Sequence, residues 1–266
     1  MTHVISMFKT IVFCYFFLAL CLVITACNTF RHFHMPLNAH WAVLWFIFFG
    51  SVFIYTGYAL IKRPHKHTLA LFQDQYKWYQ EHPRTVVYVL LLTGFFCLCL
   101  AATLPYMWGC MGLLGCCIGA YPWLKKTIPY IKTGLVAFAY TLATVAMPLS
   151  CVPLWDPLMG IHAMCQFLLV FAITLIFDHR DCHEDMICGL KTCPMLFKDT
   201  TRLVSVTLLI IRLCILIVVT TPLSHVLIPV TTSVFVIYAC WSPVVRWGNY
   251  YYSVFLESVL AIAGCI

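Results

Sequence analysis

Residues 158–177 read LMGIHAMCQFLLVFAITLIF without a single Asp, Glu, Lys or Arg, and residues 178–194 follow at once as DHRDCHEDMICGLKTCP. The first stretch has the length, about 20 residues, that a helix needs to cross the hydrocarbon core of a bilayer. It shows no alternation of apolar and polar residues, which argues against a strand of a membrane barrel. A helix is then the spanning structure that satisfies every backbone N–H and C=O without water. The second stretch gathers four of the nine acids of the chain, Asp178, Asp181, Glu184 and Asp185. The pair of segments therefore describes a spanning helix that brings carboxylates to one membrane face.

Comparable apolar runs lie near 7–29, 40–61, 85–104, 106–123, 133–150, 203–220, 226–243 and 249–266. With 158–177 they predict an all-α, polytopic bundle of about nine transmembrane helices, with residues 1–266 forming a single transmembrane domain. Composition agrees: 63% of residues are hydrophobic, 9% are charged and mean hydropathy is +0.93. Soluble domains carry about 25% charge, so water is not the main solvent. The formal charge of +7 reflects basic residues collected on one membrane side, and nucleic-acid binding is not suggested.

Placing the N-terminus in the cytoplasm puts every Lys and Arg on that side except Arg31, outside, and Arg212, within a span. This asymmetry predicts an external C-terminus and long cytoplasmic loops at 62–84 and 178–202. Most of the 16 cysteines sit in apolar runs, where Cys behaves as a small hydrophobe. Ile24-Thr25-Ala26-Cys27 also fits a lipoprotein cleavage signal, which would remove the first span. In the loop 63–84, Leu69, Phe72, Tyr76 and Tyr79 recur at helical spacing and predict a short interfacial helix, either a lid over a cavity or a segment resting on headgroups.

If the sixth spanning helix continues past the membrane edge, Asp178, Asp181 and Asp185 fall on one face and Glu184 on another. Converging carboxylates repel unless a cation sits among them or Arg180 and Lys191 fold across. A hard cation such as Mg²⁺ suits these oxygens; the plainer alternative is a solvated acidic loop. His179 and His183, at i and i+4, would suit Zn²⁺ but occupy a different face. Arg212 and Glu257 lie at similar depth in the seventh and ninth spans and are expected to face the bundle interior, as an ion pair or as polar groups at the far end of a cavity. Tyr250, Tyr251 and Tyr252 fit an interfacial aromatic belt.

The pattern Asp178-x-x-Asp181-x-x-x-Asp185-x-x-x-Gly189-x-x-Thr192-x-Pro194 resembles the second aspartate motif of the UbiA-type membrane prenyltransferases. The stretch 125–148, KKTIPYIKTGLVAFAYTLATVAMP, is similar to a divergent bacterial branch of UbiA-like proteins found in Bacteroidetes. The resemblance implies about nine helices around an apolar cavity in a bacterial inner membrane. It also implies Mg²⁺ held by Asp178, Asp181 and Asp185, and transfer of a prenyl group from a polyprenyl diphosphate to an aromatic or other lipophilic acceptor. Lys191 would be a phosphate contact. Family members usually carry a first aspartate motif at the end of the second span, but residues 53–67 here read FIYTGYALIKRPHKH, without an acid. Either Lys62 and Arg63 neutralise the diphosphate in place of one Mg²⁺, or the chain is an inactive lipid-binding or scaffold protein.

Overall fold

The computed structural model describes residues 14–61, 70–152 and 156–219, residue 11, and the single positions 230, 231, 233, 234, 236, 237 and 258. Helices and short turns account for the described residues, and no strand occurs among them. In chain order the helices are α1 (Phe16–His32), α2 (Trp41–Ile61), α3 (Ala70–Glu81), α4 (Pro83–Thr103) and α5 (Trp108–Thr127). They are followed by α6 (Ile131–Thr141), α7 (Pro157–Ile187), α8 (Cys193–Phe197) and α9 (Thr201–Val219). α6 runs on through a π-helical stretch, Leu142–Ala146, into Met147–Leu149.

Among the described residues, 6 segments are long and apolar enough to span a membrane: Trp41–Ile61, Pro83–Thr103, Pro105–Thr127, Ile131–Leu149, Pro157–His183 and Cys193–Val219. Phe16–His32 is a shorter apolar helix. The chain is thus an all-α, multi-pass membrane protein. The runs 226–243 and 249–266 lie mostly outside the described residues, as do Lys62, Arg63, Glu257 and Tyr250 to Tyr252.

Packing follows from small residues and buried aliphatics. α2 and α4 lie antiparallel, with Gly57 facing Leu90, Gly94 facing Phe53 and Gly50 facing Cys97. A Cβ at Gly94 would stand 3.0 Å from the Phe53 ring, so this close approach depends on glycine. One buried cluster joins Ala137 of α6, Leu169, Val170, Ala172, Ile173 and Ile176 of α7, and Leu209 of α9. A second joins α1 and α2 through Leu18, Leu22, Ala26, Phe30, Val43 and Ile47, with Met147 beside them. α7 is consequently held between α6 and α9 along its apolar length.

The predicted short helix exists as α3, with Tyr79 of the expected face buried and Leu69 outside the described residues. Gln75, Trp78 and Tyr79 are buried, and the last two pack with Cys14 and Val86. Tyr76 is only half-buried. Gln75 is tolerated inside because its Nε2 donates to the Tyr79 hydroxyl at 3.2 Å. This helix packs on protein through its indole and phenol.

Candidate active site at the acidic end of α7

α7 has 31 residues and is about 46 Å long, against a hydrocarbon core of about 30 Å. Asp178 stands about 32 Å along it from Pro157, so the acids ride on the turns that leave the apolar layer. The helix ends in a left-handed glycine: Gly189 has φ +70, and Leu190 N–H reaches back 2.8 Å to the Asp185 carbonyl while Gly189 N–H bonds Met186 at 3.0 Å. This double closure is a Schellman end. Asp185 is therefore fixed twice, by its backbone in the helix end and by its side chain in the site.

That side chain meets a cation from another helix. Lys132 Nζ lies 2.8 Å from Asp178 Oδ1 and 2.6 Å from Asp185 Oδ2. Thr133 Oγ1 donates to Asp178 Oδ2 at 2.6 Å. Asp178 and Asp185 are both buried. Burial pushes the Asp185 carboxyl above its ordinary range, while the Lys132 charge draws it back down. Lys132 is the second residue of α6, where the positive end of the helix dipole disfavours a cation, and the two carboxylates offset that cost. The start of α6 is tied to the turn after α7 as well: Tyr130 N–H donates to the Lys191 carbonyl at 2.8 Å, and Cys193 Sγ donates to the Tyr130 carbonyl at 3.3 Å.

Asp181 takes a different partner. Its carboxylate receives Arg180 Nε at 2.6 Å and Nη2 at 3.1 Å, a bidentate pair between sequence neighbours. The expected approach of Arg180 is realised, whereas Lys191 contributes a backbone carbonyl and keeps its side chain exposed. The cation from afar is Lys132, which the sequence pattern presents as one more basic residue at a membrane edge.

A second cationic group lies alongside. Lys125 Nζ donates to the Tyr58 hydroxyl at 2.5 Å and lies over the rings of Tyr58 and Tyr121, 5.3 and 5.0 Å from their centroids. Tyr121 is close enough to Lys132, Tyr58, Asp178 and Asp185 to interact electrostatically with all four. It links the acid cluster to the last turn of α2, after which Lys62 and Arg63 follow directly in the chain.

At the other end of the bundle, Thr29 Oγ1 donates to the Thr144 carbonyl at 2.8 Å, and the rings of His32 and His162 stack with centroids 4.8 Å apart. Arg212 is 2% exposed and faces the interior, within electrostatic reach of His162 and Cys165. Its expected partner Glu257 lies outside the described residues.

Asp178 and Asp185 direct one oxygen each at a single cationic point, which is the disposition a hard, carboxylate-seeking ion uses. Thr192 Oγ1, buried in the turn beside Cys193, has no hydrogen-bond partner among the described residues and is free to bond a ligand oxygen. These are oxygen donors of the kind Mg²⁺ shares with substrate phosphates, and Lys132 Nζ holds the point between the two carboxylates in this structure. Among the described residues no group of three or more His, Cys, Asp or Glu side chains is gathered for a metal, and no third ligand joins His179 and His183.

A polytopic helical bundle in which the acidic end of α7 is closed by a lysine from the preceding helix, α6, is the class that fold and site define. A family model described as the UbiA prenyltransferase family matches residues 81–253, well over half of the chain. The chain belongs to that family, a family of membrane prenyltransferases. No curated protein and no solved structure matches it.

Proposed function

We propose that this chain transfers a prenyl group from a polyprenyl diphosphate to an aromatic or other lipophilic acceptor, with Mg²⁺ at Asp178, Asp181 and Asp185. The observation that supports this reading is the convergence of Asp178 and Asp185 on one cationic point at the edge of an apolar bundle. A Mg²⁺ ion there supplies Lewis-acid stabilisation to the diphosphate leaving group. Asp178 is aligned by Thr133, and Asp185 by the helix end at Gly189. Lys125, together with Lys62 and Arg63, which follow α2 in the chain, adds fixed positive charge where a first aspartate motif would otherwise recruit metal. Arg212 and Glu257 are polar groups for the far end of the cavity, and Lys191 a further phosphate contact. The apolar helices keep water from the allylic cation. The site then opens to the cytoplasm of a bacterial inner membrane, a sidedness that the distribution of basic residues supports.

The second reading, an inactive lipid-binding or scaffold relative, is favoured by one observation, the lack of any acid in 53–67. Lipid mass spectrometry of cells with and without the gene separates the two. A prenylated product that disappears with the gene, and with an Asp178→Asn variant, supports the transferase. An unchanged lipid profile, together with Mg²⁺-dependent retention of a prenyl diphosphate without turnover, supports the second reading.

A further inference from the structure

We infer that Lys132 is a built-in counter-cation that closes the metal site of the resting protein, so that a divalent ion enters only together with a diphosphate. This rests on the reading of Asp178 and Asp185 as metal ligands. Lys132 Nζ already occupies the point between them, at 2.8 and 2.6 Å, and its side chain is only 15% exposed. Asp181 is held by both nitrogens of Arg180. Three carboxylates against one ammonium and one guanidinium leave a single net negative charge in the cluster. An incoming Mg²⁺ would have to shed water, which it does reluctantly, and displace the ammonium for that small return.

A diphosphate alters the balance. It brings oxygens that share the metal with the aspartates, and it offers Lys132 a new anionic partner in place of the carboxylates it gives up. Lysine suits such an exchange: its charge is a point on a flexible four-carbon stem, whereas a guanidinium fork would hold both carboxylates through several bonds. The anchoring stays in place throughout, because Thr133 keeps Asp178 and the Schellman end keeps Asp185. Metal and diphosphate affinities are then mutually dependent, since coupling between two ligands is reciprocal.

Mn²⁺ binding to the purified full chain, followed by electron paramagnetic resonance at matched free Mn²⁺ with and without inorganic pyrophosphate, tests this. Mn²⁺ accepts the same carboxylate oxygens. The wild type should bind Mn²⁺ roughly tenfold more tightly with pyrophosphate than without it, the scale of a typical allosteric coupling. Lys132→Met should bind Mn²⁺ well without pyrophosphate and lose most of that dependence, while Lys132→Arg should still exclude the ion. If Lys132→Met does not fold, the wild type and Lys132→Arg decide the matter. Equal Mn²⁺ affinity with and without pyrophosphate, or a Lys132→Met protein that behaves as wild type, overturns the inference and leaves the diphosphate reading standing. Failure of every variant to hold Mn²⁺ or pyrophosphate under any condition overturns both.

Discussion

Thr133 Oγ1 donates a 2.6 Å hydrogen bond to Asp178 Oδ2, tying α6 to α7 across 45 residues. With Lys132 on Oδ1, both oxygens of this buried carboxylate are engaged by consecutive residues of one helix. Thr133→Val keeps the shape and removes the donor. It should lower stability by about 1.5–3 kcal/mol, the usual scale for a hydrogen bond to a charged group. Denaturation in detergent measures the loss, and Thr133→Ser should recover most of it. A Val variant as stable as wild type would mean that Lys132 alone positions Asp178.

Gly189 offers a purely backbone test. Its φ of +70 ends α7, and a Cβ placed there would meet nothing within 4 Å, so a substitution acts through conformation and not through a clash. Gly189→Ala should cost about 1–2 kcal/mol, and Gly189→Asn less, because Asn tolerates the left-handed region. The same change loosens the carbonyl of Asp185, so Mg²⁺-dependent pyrophosphate retention should fall in parallel. Retention that is unaffected by a measurable loss of stability would separate the helix end from the site.

The spanning helices were legible in the sequence because apolar length is a coarse property that survives any packing arrangement. The convergence of Asp178 and Asp185 was legible too, since a spacing of seven on a continuing helix puts both on one face, whereas Asp181, expected to join them, pairs with Arg180. Lys132 was not. Every lysine at a membrane edge carries the same topological meaning, and nothing local shows that this one is turned inward to meet residues 46 and 53 positions later. Lys191 looked the better partner only because it is near in sequence, and its backbone rather than its charge is what the fold uses. For α3, periodicity gave the helix and the burial of Tyr79 but not that of Gln75, which reads as polar until the Tyr79 hydroxyl is found beside it.

Arg212 raises a separate question in the middle of the bundle. An unpaired charge at that depth costs at least about 2.5–3.5 kcal/mol on insertion scales, and the residue is 2% exposed. Glu257 in the last apolar run is the one acid of suitable depth in the sequence. Glu257→Gln should therefore destabilise the wild type by roughly 0.5–3 kcal/mol more than it destabilises an Arg212→Met variant. Additive effects in the four-member cycle would show that the two charges do not meet.

The most informative measurement concerns the end of α2. A diphosphate carries roughly three negative charges, and one Mg²⁺ leaves part of that charge to be balanced. The family's usual solution, acids that recruit a second metal, is missing from 53–67, and the chain offers Lys62 and Arg63 directly after Ile61. Lys125, bonded to Tyr58 one turn earlier in α2, shows that cationic groups already border this side of the site. If Lys62 and Arg63 complete the binding surface, changing both to Met should weaken prenyl diphosphate binding about tenfold or more even at saturating Mg²⁺, in line with loss of charge-assisted bonds. Binding of the corresponding prenyl alcohol should be spared, because it carries no charge to be balanced. Asp181→Asn should act on the other half and reduce the Mg²⁺-dependent part of retention. Isothermal titration of the diphosphate and the alcohol against each variant distinguishes the halves. Wild-type diphosphate affinity in the double Met variant would show that Lys62 and Arg63 serve only to orient the chain in the membrane, leaving Lys125 and Lys132 as the cations that meet the phosphate.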